Sequence, residues 1–148
     1  MSNIVKDIRD ALVEQIQTEL PSYAQSPFIW DFASNNDKKS KNIFAVRPQS
    51  GSSVSGTNKT ITLDQDFEVY LSTKYINKGD KDSALDEAIM GLFEDHEKLE
   101  KLLFRRNINI ARVLVVESVA LSAPEIDNEN HNVAIIATYT IKYRNETA

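Results

Sequence analysis

The chain has 148 residues, of which 41% are apolar and 26% charged, with four Gly, four Pro, no Cys and a formal charge of −5. That length corresponds to one ordinary domain, 1–148, able to bury a core of its own, and the balanced composition excludes wholesale disorder. The absence of Cys excludes disulfides, thiolate metal sites and thiol nucleophiles and fits folding in a reducing compartment, while the net negative charge argues against a dedicated nucleic-acid binder.

The N-terminal residues Met1 to Asp7 lead into an acidic amphipathic pattern, not a basic stretch followed by an apolar run, so no signal peptide is expected. Ile4, Ile8, Leu12, Ile16 and Leu20 recur every four residues with Val5 and Val13 beside them, while Asp7, Asp10, Glu14 and Gln17 lie off that line. The spacing predicts an amphipathic helix over residues 3–20, capped by Ser2 or Asn3 and stopped by Pro21. Pro21 and Pro27 then break the chain, and Phe28 to Phe32 is aromatic enough for a short strand or a buried corner. Ser34 to Lys41 has no apolar residue; with Lys38, Lys39 and Lys41 it reads as an exposed, solvated basic loop. Asn42 to Arg47 reads as a strand that Pro48 limits, and Gln49 to Lys59, small and polar apart from Val54, reads as a flexible connector containing Gly51, Gly56 and Lys59.

From Thr60 to Tyr75 the apolar residues alternate, with Phe67, Val69 and Leu71 on one set of positions and Glu68, Tyr70 and Ser72 on the other, which predicts a half-buried strand. An approximate capping box at Ser83 to Asp86 opens a second helix whose inward positions are Leu85, Ala88, Ile89, Leu92, Phe93 and His96, running to Glu97 or as far as Leu102. Two β-rich runs close the chain, Arg112 to Leu121 and Val133 to Tyr143, separated by a loop, Ser122 to Asn132, that carries Pro124 and three acids. The order α-β-β-α-β-β predicts an α+β fold with a mostly antiparallel four-stranded sheet and both helices on one face.

Motifs for chemistry are weak. Gly51 to Gly56 followed by Lys59-Thr60 imitates a phosphate-binding loop, but two extra residues precede the Lys and a strand follows where a helix is required. His96-Glu97-Lys98-Leu99-Glu100 starts like a zinc-protease helix and puts Glu100 where the second His ligand belongs; the only other histidine is His131. The acids of the second helix have the spacing of surface ion pairs with Lys98 and Lys101, and nothing resembles a nucleophile elbow. No catalytic, metal or cofactor site is therefore expected, and no apolar run is long enough for a membrane-spanning helix.

The informative feature is apolar surplus in the last two strands. Strict alternation puts Val113, Val115, Val119 and Leu121 on one face of the first run and Leu114, Val116 and Ala120 on the other; in the second run Ala134 and Ile136 oppose Val133 and Ile135. Two helices cover only one face, so Leu114, Val116, Ala134 and Ile136 are the candidate subunit-interface residues, unless residues 21–33 or the long loops fold over them.

In its succession of elements the chain resembles the bacteriophage tail terminator or tail completion proteins. The likeness spans nearly the whole chain: the N-terminal helix, a loop-interrupted strand pair ending in Asp66-Phe67-Glu68-Val69-Tyr70-Leu71, the helix at Ala84 to Ile89, and the closing hairpin with Ala137 to Tyr143. The Lys-rich loop at 38–41 is not something the family pattern requires. The resemblance implies a non-enzymatic virion protein in the tail or neck, assembled in the host cytoplasm. It would form a hexameric ring of its own copies at the head-proximal end of the tail and touch the tail tube protein on one side and neck or connector proteins on the other. DNA would pass through such a ring without specific binding, which suits the negative charge. Lys38, Lys39, Lys41, Gly51, Gly56 and Lys59 are then candidate assembly-loop residues. A head-completion or stopper protein of the neck is the alternative in the same class, and a small-ligand-binding or enzymatic α+β domain the alternative outside it.

Overall fold

The structure, a computed structural model, describes residues 4–25, 42–56, 60–75, 81–106, 113–127 and 131–146. Helix α1 (Ile4–Glu19) buries Ile4, Ile8, Leu12 and Ile16, the four-residue series that its sequence announces. Leu20 ends it: its N–H donates to Ile16 O at 2.7 Å and its carbonyl accepts from Tyr23 N–H at 3.0 Å, while Pro21 has no N–H to continue the ladder. The chain then passes through β1 (Tyr23–Gln25), β2 (Asn42–Gly56), β3 (Thr60–Lys74), α2 (Lys81–Arg106), β4 (Val113–Leu121), β5 (Glu125–Asp127) and β6 (Asn132–Glu146).

The strands form one sheet in the order β1-β2-β3-β6-β4, with β5 also paired to β6. β1 runs parallel to β2, with Tyr23 opposite Asn42, and the remaining pairs are antiparallel. The α+β class expected from sequence holds, but the four-stranded sheet does not: the sheet has six strands among the described residues and is mixed, its first pair being parallel. Both additional strands are three residues long, too short for any alternation to show, and each lies in a stretch whose prolines, Pro21 and Pro124, read as loop.

A second correction concerns residues 49–56, expected as a flexible connector. β2 continues through them, paired with β3 from Asn42 opposite Thr73 to Gly56 opposite Ile61. Register shifts at Pro48/Gly51 and Ser53/Ser55 absorb the irregular sequence as bulges, and Pro48 is tolerated there because it needs no ladder N–H at a bulge. The buried Gln65 fastens the first bulge, its Nε2 donating to Gln49 O at 2.7 Å and to Asp66 O at 3.1 Å. A Cβ added at Gly51 would stand 2.6 Å from Gln65 Oε1, so glycine is what lets the side chain and the bulge approach. Gly51 and Gly56 thus belong to a paired strand and not to an assembly loop. The aromatic run Phe28 to Phe32, the basic loop with Lys38, Lys39 and Lys41, and Lys59 lie outside the described residues.

Both helices pack on the same face of the sheet. The core joins Ile8, Leu12 and Ile16 of α1 and Leu92 and Leu99 of α2 to Phe44, Phe67, Val69, Leu71, Ile135, Tyr139 and Ile141 of the strands. Each such side chain contributes about 1.5–3 kcal/mol by leaving water. α2 extends to Arg106, past the Leu102 limit read from periodicity, because no Gly or Pro lies between Leu102 and Asn107 to stop it. Leu12 is fully buried in this core. Leu12→Ala is expected to cost about 2–5 kcal/mol, read as a lower urea midpoint at unchanged slope.

Candidate functional site

The face of the sheet turned away from the helices is built by the alternate residues of β2, β3 and β6. At one end Ile43 and Ala45 are buried and form a small apolar cluster with the half-buried Tyr70 and Ala134. Tyr70 stands opposite Ala45 on one side and Ile136 on the other, and its hydroxyl donates to Glu68 Oε2 at 2.7 Å. Burial, reinforced by the Glu68 carboxylate, raises the Tyr70 hydroxyl to about 12, so it remains a donor. Farther along the same face Arg47 stands opposite Glu68, Thr140 donates to Asp66 Oδ1 at 2.7 Å, and Asp64 stands opposite Lys142. The contiguous apolar patch expected from sequence is therefore confined to one end, and the rest of the face is a polar and charged ladder.

The four interface candidates separate. Ala134 and Ile136 lie on this outer face, half-buried. Val116 does not: it is only 2% exposed and belongs to the core beneath the helices. The reason is a pair of register shifts in β4, between Val113 and Val115 and between Val116 and Ser118. Val113, Val116 and Val119 stand opposite Tyr143, Ile141 and Tyr139, all on the helix side, while Val115 stands opposite Lys142 on the outer side. Each bulge inserts a residue and reverses the alternation beyond it, so strict period-two counting puts Val115 and Val116 on the wrong faces. Leu114 sits at the first shift, and its side chain falls outside the described residues.

The same bulged strand carries the surface feature that sequence reasoning missed. β4 pairs with β6 on one side and has no strand partner on the other among the described residues, and β5 prolongs that edge by pairing with the start of β6. Of the large apolar side chains exposed among the described residues, Val115 (39%), Leu121 (40%) and Ile126 (46%) lie on this edge, and the fourth, Met90, is on α2. An edge strand with no second strand partner among the described residues, flanked by exposed apolar side chains, is a template for pairing with another strand.

A cavity of about 460 Å³ opens between the first half of α2 and the ends of β1, β2 and β3. In its wall the Tyr23 hydroxyl donates to Asp95 Oδ2 at 2.7 Å and the Thr73 hydroxyl to Asn42 Oδ1 at 2.6 Å. Burial, with Asp95 adding to it, holds the Tyr23 hydroxyl far above the usual tyrosine range. The two histidines do not meet. His96 is buried against Tyr139 in the core, whereas His131 is exposed in a left-handed turn at φ 53° with its ring edge-on to Tyr75. Among the described residues no group of His, Asp or Glu is arranged to hold a metal ion, and no helix is long and apolar enough to cross a membrane.

Compared with known proteins, the chain matches no family model and no curated protein. The reversed positions of Val115 and Val116 give a direct test by mutation. Val116→Asp is expected to unfold the chain, because an ionised carboxylate in the core has no partner, whereas Ile136→Asp on the outer face leaves a folded protein. Far-UV circular dichroism of the two variants distinguishes these outcomes.

Proposed function

We propose that the chain is a structural subunit that joins copies of itself through the β4–β5 edge, and that the assembly is the ring of a phage tail terminator. The observation that carries the reading is the free edge with Val115, Leu121 and Ile126 exposed beside it. A nine-residue edge with exposed apolar side chains and no proline is open to pairing with another strand. The opposite edge is complementary in kind. Beyond the three residues paired with β1, β2 has no strand neighbour on its outer side among the described residues. Pairing the β4 edge of one copy with the β2 edge of the next is a heterologous contact, and such contacts close into rings when the rotation per subunit permits.

The tail assignment itself rests on the resemblance in element order, which brings the hexamer, the tail tube protein and the neck or connector proteins as partners and the virion as location. The net charge of −5 is compatible with a ring that lets DNA slide through without holding it. The cavity beside α2 favours the second reading, a small-ligand-binding domain, since its size is that of a small-molecule site. The hydroxyls of Tyr23 and Thr73 in its wall are already engaged with Asp95 and Asn42, which leaves the edge as the stronger feature.

The test is the double variant Val115→Lys, Leu121→Lys, which puts charge on the two exposed apolar positions of β4. Light scattering is expected to show a ring mass for the native chain and a folded monomer for the variant. An unchanged mass in the variant places the contact elsewhere, and a native chain that stays monomeric removes the reading. Electron micrographs of tail tubes mixed with the native protein then test the tail role, with rings expected at one tube end only.

A further inference from the structure

We propose that the contact between His96 and Tyr139 is a pH-sensitive latch that fastens α2 to the centre of the sheet in neutral solution and loosens it on acidification. The geometry is a chain of three groups. Tyr139 lies on β6, between Phe67 of β3 and Val119 of β4, and is fully buried. Its hydroxyl is 2.8 Å from His96 Nε2, and His96 Nδ1 is 3.8 Å from Glu100 Oε2 one turn along α2.

A neutral imidazole has one donor and one acceptor nitrogen. The Glu100 carboxylate favours the proton on Nδ1, which leaves Nε2 to accept from Tyr139. Burial, with a smaller push from Glu100, holds the Tyr139 hydroxyl far above its usual range, so it stays a donor throughout. Protonating His96 makes Nε2 a donor as well. Two donors then face each other, the buried hydroxyl loses its acceptor, and a positive ring sits in an apolar core.

Among the described residues the surroundings offer the cation little help. The helix-facing neighbours in the same core are apolar on β3 (Phe67, Leu71), on β4 (Val116, Val119) and on α1 (Leu12, Ile16). On β6 the other titratable group in that core is Tyr143, neutral at these pH values and pushed further up by burial. The charge that bears on the ring is Glu100, whose side chain is 44% exposed. Burial lowers the His96 pKa from 6.5, and Glu100 opposes that only in part. The sign follows: the unfolded or unlatched chain binds the proton more readily, so the latch is whole above pH 6.5 and is lost as pH falls below it.

The experiment uses the full chain and its His96→Gln variant, whose amide can accept from Tyr139 and cannot titrate. Between pH 7.5 and 5, the folding constant of the native chain is expected to fall relative to the variant by up to tenfold per pH unit, since one extra proton is taken up. Amides of α2 around His96 should gain exchange rate over the same range more than those of β6. Parallel pH profiles in the two proteins overturn the proposal, and equal acceleration in α2 and β6 overturns the latch by showing only a weaker fold. Should His96→Gln fail to fold, the proton resonances of the native chain decide: a His96 midpoint below 6.5 supports the latch, and a midpoint at or above 6.5 sinks it.

Discussion

The pairing of β6 with β3 carries the rest of the molecule, because it runs unbroken from Thr60 opposite Glu146 to Lys74 opposite Asn132. Over that length every second residue of β6 from Val133 to Tyr143 points under the helices, and Phe67, Val69 and Leu71 of β3 answer them. A slip of one residue would send all of these to the outer face and bring Ala134, Thr138 and Lys142 inside. The burial of this double row fixes the register, and through it the position of everything attached to either strand.

β4 attaches to β6 without that regularity. Its two bulges keep Val113, Val116 and Val119 on the core side while turning Val115 outward, and the strand ends in the exposed Leu121 before β5 resumes the edge. The sheet thus has a rigid centre and an irregular rim. The core needs three valines from β4, and the bulges deliver them at uneven spacing. What is left over for association is an edge with apolar side chains, not the apolar face that even alternation suggests.

The outer face shows the same economy. Its apolar end is satisfied within the chain by Ile43, Ala45, Tyr70 and Ala134, and its other end by polar pairs such as Thr140 with Asp66. On the inner face the polar chain from Glu100 to His96 to Tyr139 ties α2 to β6, as the Tyr23 hydroxyl on Asp95 ties it to β1. A helix held otherwise mainly by non-directional apolar contact gains at His96 a contact sensitive to protonation.

The sequence by itself determined α1, β3, β6 and most of α2, because each buries a long face with a constant period: four-residue steps from Ile4 to Leu20, alternation from Phe67 to Tyr75 and from Val133 to Tyr143. It also indicated that His96 falls among the inward positions of α2. Only the tertiary structure decided the three-residue strands β1 and β5, the continuation of β2 through Gly51 to Gly56, and the faces of Val115 and Val116. These depend on a partner strand for their hydrogen bonds and on bulges for their parity, and neither leaves a local mark: Ser52 or Ser53 reads the same in a connector as in a ladder. Tyr139 as the partner of His96 was hidden for a related reason, since 43 residues separate them and only the docking of α2 on β6 brings the ring to the hydroxyl.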